Sequence, residues 1–234
     1  MHAHVQGPSD RAGLFITLEG PDGAGKSVVT ERLAAWFVDL GVAATIVREP
    51  GGTSLGEAIR TVLMDAQQQH SGPADALLFN AARAQLVATV IQPALDRGSL
   101  VLCDRYADST LAYQGYGSGV PLDDLRRIAA ISTGGLRPDR TILFDVAVEL
   151  GLERRRHGPD DQQTRFEDDR RHDRAFHERV RSGYLAMAAA EPDRWRVVDA
   201  GTSLDELTAA VKAALGDLLP ASVGEPRGTT VRTG

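Results

Sequence analysis

Along most of the chain, short apolar runs alternate with longer segments of helical period. The runs are Leu14–Leu18, Ala43–Val47, Leu100–Cys103, Thr141–Phe144 and Val197–Val198. Each is continuous, the pattern of a strand buried on both faces of a parallel sheet. The segments 26–40, 54–65, 74–96, 121–132, 147–157, 169–190 and 203–219 carry helix-like patterns between them. Strand–helix–strand alternation predicts an α/β fold: a parallel sheet of about five strands with helices on both faces. Residues 1–12 and 220–234 are polar, rich in Gly, Pro, Ser or Thr, and without period. They read as loose tails flanking one domain at 13–219. The stretch 154–174 is almost wholly charged or polar, with Gly158-Pro159 inside it. It reads either as a solvated loop or as an arginine-bearing lid.

Composition narrows the class. Of 234 residues, 42% are hydrophobic and 25% charged, which excludes wholesale disorder. Acids outnumber bases by 32 − 26 = 6, which argues against a nucleic-acid coat or a basic membrane-surface protein. The single cysteine, Cys103, permits neither an internal disulfide nor a Cys/His zinc framework. No run approaches ~18 consecutive apolar residues, and the first residues carry no basic n-region followed by an apolar core. The expectation is a cytoplasmic protein that contacts neither membrane nor nucleic acid. Lysine is nearly absent, so the position of Lys26 stands out.

That position is Gly20-Pro21-Asp22-Gly23-Ala24-Gly25-Lys26-Ser27, a G-x-x-x-x-G-K-[ST] motif. Glycines permit a loop whose successive N–H groups wrap a β-phosphate. The following helix aims its N-terminal dipole at the anion. Lys26 then bridges the β- and γ-phosphates, and Ser27 ligates Mg²⁺. An apolar strand precedes the motif and an amphipathic segment follows it. A P-loop NTPase fold binding a nucleoside triphosphate, ATP, is therefore expected. The chain's one asparagine, Asn80, is followed by alanine, so no N-K-x-D guanine motif exists. Asp104, at the end of the third run, stands where an acid organises Mg²⁺. Arg48 and Arg105 follow runs two and three, where open α/β sheets bind ligands. With Arg83, Arg154, Arg155, Arg156 and Arg165 they suit a second phosphate.

Taken in order, LEGPDGAGKS, REPGGT at 48–53, LLFNAARAQ at 77–85, DRYADSTLAYQG at 104–115, RPDRTILFDV at 137–146 and TRFE at 164–167 resemble the thymidylate kinase family over about 14–219. The resemblance implies transfer of the γ-phosphoryl of ATP to dTMP, giving dTDP and ADP for dTTP synthesis, usually by a homodimer. Phe79 would stack on thymine. Arg83 would bond a thymine carbonyl, and Gln114, with Thr110 near it, would address the polar edge of the base. Tyr113 would pack against the sugar. Arg48 and Arg105 would hold the acceptor phosphate, Asp22 would organise the sugar or the Mg²⁺ region, and Glu49 would lie near the transfer site. Because PDGA in the loop carries no arginine, the likeness is to bacterial-type members with lid arginines. Arg154 and Arg156 are ranked first for that role, in a lid at about 154–168. Two readings compete: another nucleoside or nucleotide kinase of this fold, with Glu49 as a base, and a P-loop switch acting through a partner.

Overall fold

The computed structural model describes residues 12–65, 67–156 and 174–219. The tails, His157, Arg165 and nearly all of the expected lid lie outside the described residues. Five strands form one parallel sheet: β1 (Phe15–Glu19), β2 (Ala44–Arg48), β3 (Leu100–Asp104), β4 (Arg140–Asp145) and β5 (Trp195–Asp199). Their order is β2-β3-β1-β4-β5, so β1 is central, paired to β3 (Phe15 with Val101) and β4 (Ile16 with Arg140). The change in direction at β1 creates the crevice at the strands' carboxyl ends, where such sheets take ligands.

Alternation along β1 splits the core. Ile16 and Leu18 face α1 (Lys26–Asp39) and α9 (Leu204–Leu215), packing with Val29, Leu33, Phe37, Leu207 and Val211. Phe15 faces the other way, with Val101 and Cys103, onto Leu86, Ile91 and Leu95. Each such fully buried side chain contributes about 1.5–3 kcal/mol. Those last residues belong to one long helical segment. It runs as α3 (Gly72–Leu86), a π-helical turn (Val87–Ile91) and α4 (Gln92–Asp96). By length and composition alone it is apolar enough to cross a membrane. Asp75, Asn80 and Arg83 are buried along it, Leu86 and Ile91 pack on the sheet, and α2 (Ser54–Met64) and α6 (Leu122–Thr133) flank it. It is a core helix.

The apolar runs overstate the burial of the edges. In β2 exposed and half-buried residues alternate, and Ile46 is 38% exposed. In β5 Val197 is 52% exposed. Each pairs on one side only. A helical stretch also escaped the pattern: α5 (Ala107–Thr110) and a π-helical turn, Leu111–Gly117. It carries glycines inside its helical turns. They are there for close approach, since a Cβ on Gly117 would come within 2.5 Å of the Phe176 ring on α8 (Arg174–Ala190).

Candidate active site

The phosphate loop leaves β1 at Gly20 and enters α1 at Lys26. Gly20, Gly23 and Gly25 have φ of 141°, 75° and 86°, conformations in which glycine is the unstrained residue. At Gly23 there is a second constraint: a Cβ would lie 2.0 Å from the Gly151 carbonyl oxygen. Gly151 sits in α7 (Val148–Arg156), so this helix rests directly on the loop backbone. Lys26 is buried, and its Nζ donates to the carbonyls of Gly20 (3.0 Å) and Pro21 (2.8 Å). Burial, then the charge of Arg105, pull its pKa down to about 8.

Ser27 Oγ donates to Asp104 Oδ2 at 3.4 Å, while Asp104 Oδ1 is buried with no partner among the described residues. Paired oxygen donors with one orphaned carboxylate oxygen suit Mg²⁺, a hard ion that keeps several waters and binds through phosphates. Among the described residues there is no cluster of three or more His, Cys, Asp or Glu, so an all-protein cage is not offered there.

Asp22 is the meeting point of the second side. It pairs with Arg105 Nη2, accepts a 3.2 Å bond from the Tyr113 hydroxyl and lies 3.8 Å from Arg155. Burial pushes its carboxyl up, but Arg105, Lys26 and Arg155 together outweigh this and hold it well below the usual carboxylate range. Arg105 has φ +71°, making it the one non-glycine residue of positive φ among those described. A non-glycine residue held there costs of order 1–3 kcal/mol. The strained turn directs its guanidinium across the crevice onto Asp22, Ser109 and Tyr113.

The candidate base-reading residues lie further along. Arg83 is 1% exposed; it donates to Glu49 Oε2 (2.8 Å), Asn80 Oδ1, the Tyr106 carbonyl and Thr110 Oγ1. Four of its five N–H donors are therefore engaged, leaving one on Nη1. Glu49 Oε1 is buried without a partner among the described residues. Gln114 is 3% exposed and has no side-chain hydrogen bond among the described residues. Phe79 is half-buried beside Ile59, Leu63 and Ala82. Arg48 stands apart from this group: its side chain is 58% exposed and 3.8 Å from Glu57.

The lid arginines are ordered differently from the sequence ranking. Arg154 donates to the carbonyls of Ala200 (2.5 Å) and Thr202, and the exposed Arg156 to Leu152. Arg155 faces Asp22. The reason is helical spacing: Gly151 touches the loop, and i+4 from it on the same face is residue 155. Gly151 was the signal available in the sequence.

A phosphate loop beside a second cationic pocket narrows the family, and comparison decides it. The profile of the thymidylate kinase family matches residues 18–211. The chain belongs to that family. Thymidylate kinase of Deinococcus radiodurans is 51% identical over 207 residues, spanning 88% of this chain and 97% of that protein. That of Thermomicrobium roseum is 49% identical over 205 residues, spanning 88% and 95%. Among solved structures, thymidylate kinase from Ehrlichia chaffeensis superposes with a TM-score of 0.70 at 31% identity, covering 87% of this chain and 98% of that one. The kinase reaction to be explained is phosphorylation of dTMP by ATP to give dTDP.

Proposed function

We propose that this kinase transfers the phosphoryl group in line between two sites that meet at Asp22, with Mg²⁺ held on the donor side. The backbone of Gly20–Ser27 and Lys26 hold the ATP phosphates, and Ser27 and Asp104 are the Mg²⁺ ligands. Bound there, the ion would offset phosphate charge. Arg105 and Arg48 hold the acceptor phosphate. Phe79 stacks on thymine while Arg83, Thr110 and Gln114 address its polar edge, and Tyr113 packs on the sugar. Glu49 borders the transfer site. Arg155, with Arg154 and Arg156, offsets charge on the transferring group. The acceptor is a phosphate monoester, largely dianionic at neutral pH and already nucleophilic, so positioning and electrostatics carry the reaction.

One observation carries this reading. Arg105 and Tyr113 both reach Asp22, a residue of the phosphate loop itself. A cationic pocket adjoining a triphosphate loop suits two phosphates and not one. The test is ADP release with ATP and Mg²⁺ against each nucleoside monophosphate and thymidine. Strong turnover with dTMP, weaker with dUMP and none with thymidine is expected. Turnover with thymidine would transfer Glu49 to the role of base; release indifferent to every acceptor would make the chain a switch ATPase.

Two further parts of the reading are a homodimer and a cytoplasmic location. Leu55 and Val62 on α2, Leu77 on α3 and Ile131 on α6 are exposed, and these three helices pack side by side. Sedimentation at micromolar concentration tests the dimer, and Ile131→Arg is expected to dissociate it.

A further inference from the structure

Glu19 is the last residue of β1 and is fully buried one residue before the phosphate loop. It lies behind Arg105, bonded to the hydroxyl of Ser109 that Arg105 also reaches. Its carboxylate is fully engaged. Oε1 accepts from the Tyr106 N–H at 2.8 Å, and Oε2 from the hydroxyls of Ser109 (2.6 Å) and Tyr184 (2.9 Å). Both hydroxyl oxygens in turn lie within reach of Arg105 Nη1, at 3.2 Å and 3.5 Å. The direction of these bonds follows from chemistry. A carboxylate can only accept, so each hydroxyl spends its proton on Glu19 and turns lone pairs toward the guanidinium. The bond from the Tyr106 N–H pins the peptide that follows the left-handed Arg105. Glu19 therefore fixes Arg105 from two directions, through the backbone and through two relayed hydroxyls.

We propose that Glu19 is a positioning residue for the acceptor phosphate, holding Arg105 in its strained, inward-facing conformation through Tyr106, Ser109 and Tyr184. This inference rests on the assignment of Arg105 to that phosphate. The groups acting on the carboxylate come from several elements. Asp108 on α5, itself held by Arg194, opposes its ionisation, and Arg105 favours it. Lys26 on α1, Arg83 on α3, Cys103 on β3 and Tyr184 on α8 share its field. Burial first, then Asp108, raise its pKa to about 7. The relay is thus complete above neutrality and loses its polarity below.

The test uses Glu19→Gln, Ser109→Ala and Arg105→Ala in the full chain, with steady-state kinetics for both substrates and thermal melting. Gln presents one amide oxygen in place of two carboxylate oxygens. It is expected to raise KM for dTMP roughly tenfold, the scale of a lost hydrogen bond to a charged group, with KM for ATP changed less than about twofold. Ser109→Ala removes one relay arm and is expected to give a smaller rise of the same selectivity. In the wild type KM for dTMP is expected to rise as pH falls below about 7. The substrate's own phosphate titrates near 6, so the reading is the excess over the Gln variant, which keeps only the substrate's titration. Equal loss for both substrates, or a lowered melting temperature with an unaltered KM ratio and pH profile, would overturn the proposal and leave Glu19 a structural residue. Arg105→Ala separates the two levels. If it leaves KM for dTMP unchanged, the phosphate assignment itself fails. If it raises KM while Glu19→Gln does not, only the relay fails.

Discussion

The two halves of the crevice are built from different material. The donor half is backbone: a glycine-rich turn and a helix N-terminus, joined by one lysine whose Nζ rests on loop carbonyls. The acceptor half is side chains: Arg105, Tyr113, Arg83 and Gln114, drawn from β3, α3 and the helical stretch behind β3 and held by buried charges. A backbone site is local and survives most substitutions outside its glycines. A site made of side chains depends on partners far away in sequence, Glu19 and Tyr184 for Arg105, Glu49 for Arg83.

That contrast can be broken by experiment, beginning where the effect is largest. Lys26→Ala should cut the rate of ADP release by roughly 10³-fold or more, on the scale of losing a preorganised charge at the transition state, while the melting temperature stays nearly unchanged. Retained activity would mean the donor half does not need its lysine. Gly23→Ala should cost about 3 kcal/mol or more by thermal melting, because it combines positive φ with a clash against Gly151. It should weaken ATP and dTMP together, since it moves loop and α7 alike.

The acceptor half should carry a pH signature. Glu19 keeps its proton in the folded chain up to about 7, whereas an unfolded glutamate loses it near 4.5. Between those values the folded state binds more protons, so wild-type stability falls as pH rises through the window. The slope integrates to at most about 3 kcal/mol, and Glu19→Gln should remove it in melts compared at pH 5 and pH 8. Gln114→Ala should raise KM for dTMP about tenfold with little change for ATP, the scale of a lost buried hydrogen bond. Equal loss of both would deny it a base-reading role. Arg48→Ala should alter stability by less than about 0.5 kcal/mol, because its pairing with Glu57 is exposed. Any rise in KM for dTMP would then report phosphate binding alone.

The same contrast explains what was legible in the sequence. Four of the five strands and the phosphate loop could be read because periodicity and a spaced motif are local signals. The fifth, β5, appeared only as Val197–Val198 because its remaining residues are polar or aromatic at an edge. The helical stretch at 107–117 was hidden because its glycines serve contacts with α6 and α8 and not turns. Asp22, Arg105 and Tyr113 meet at one point, a contact that the sequence does not announce. Their mutual geometry depends on the left-handed turn at Arg105, which no propensity announces. Arg155 was passed over for its neighbours because a run of three arginines has no inherent direction until the helix face is fixed. Glu19 was invisible as anything but a strand residue, since its partners Tyr106, Ser109 and Tyr184 are assembled only by the tertiary fold.

The Gly23–Gly151 contact gives the chain a rule for recombination. With no side chain between them, the loop and α7 meet backbone to backbone: a Cβ at Gly23 would lie 2.0 Å from the Gly151 carbonyl oxygen, and one at Gly151 would press on the Asp22 carbonyl oxygen at 3.0 Å. A chimera that takes its loop from one parent and this helix from another inherits a working interface only if the loop parent carries Gly23 and the helix parent carries Gly151. A crossover placed between them is safe when both glycines are kept, and a library randomising Gly23 alone will consist mostly of dead clones.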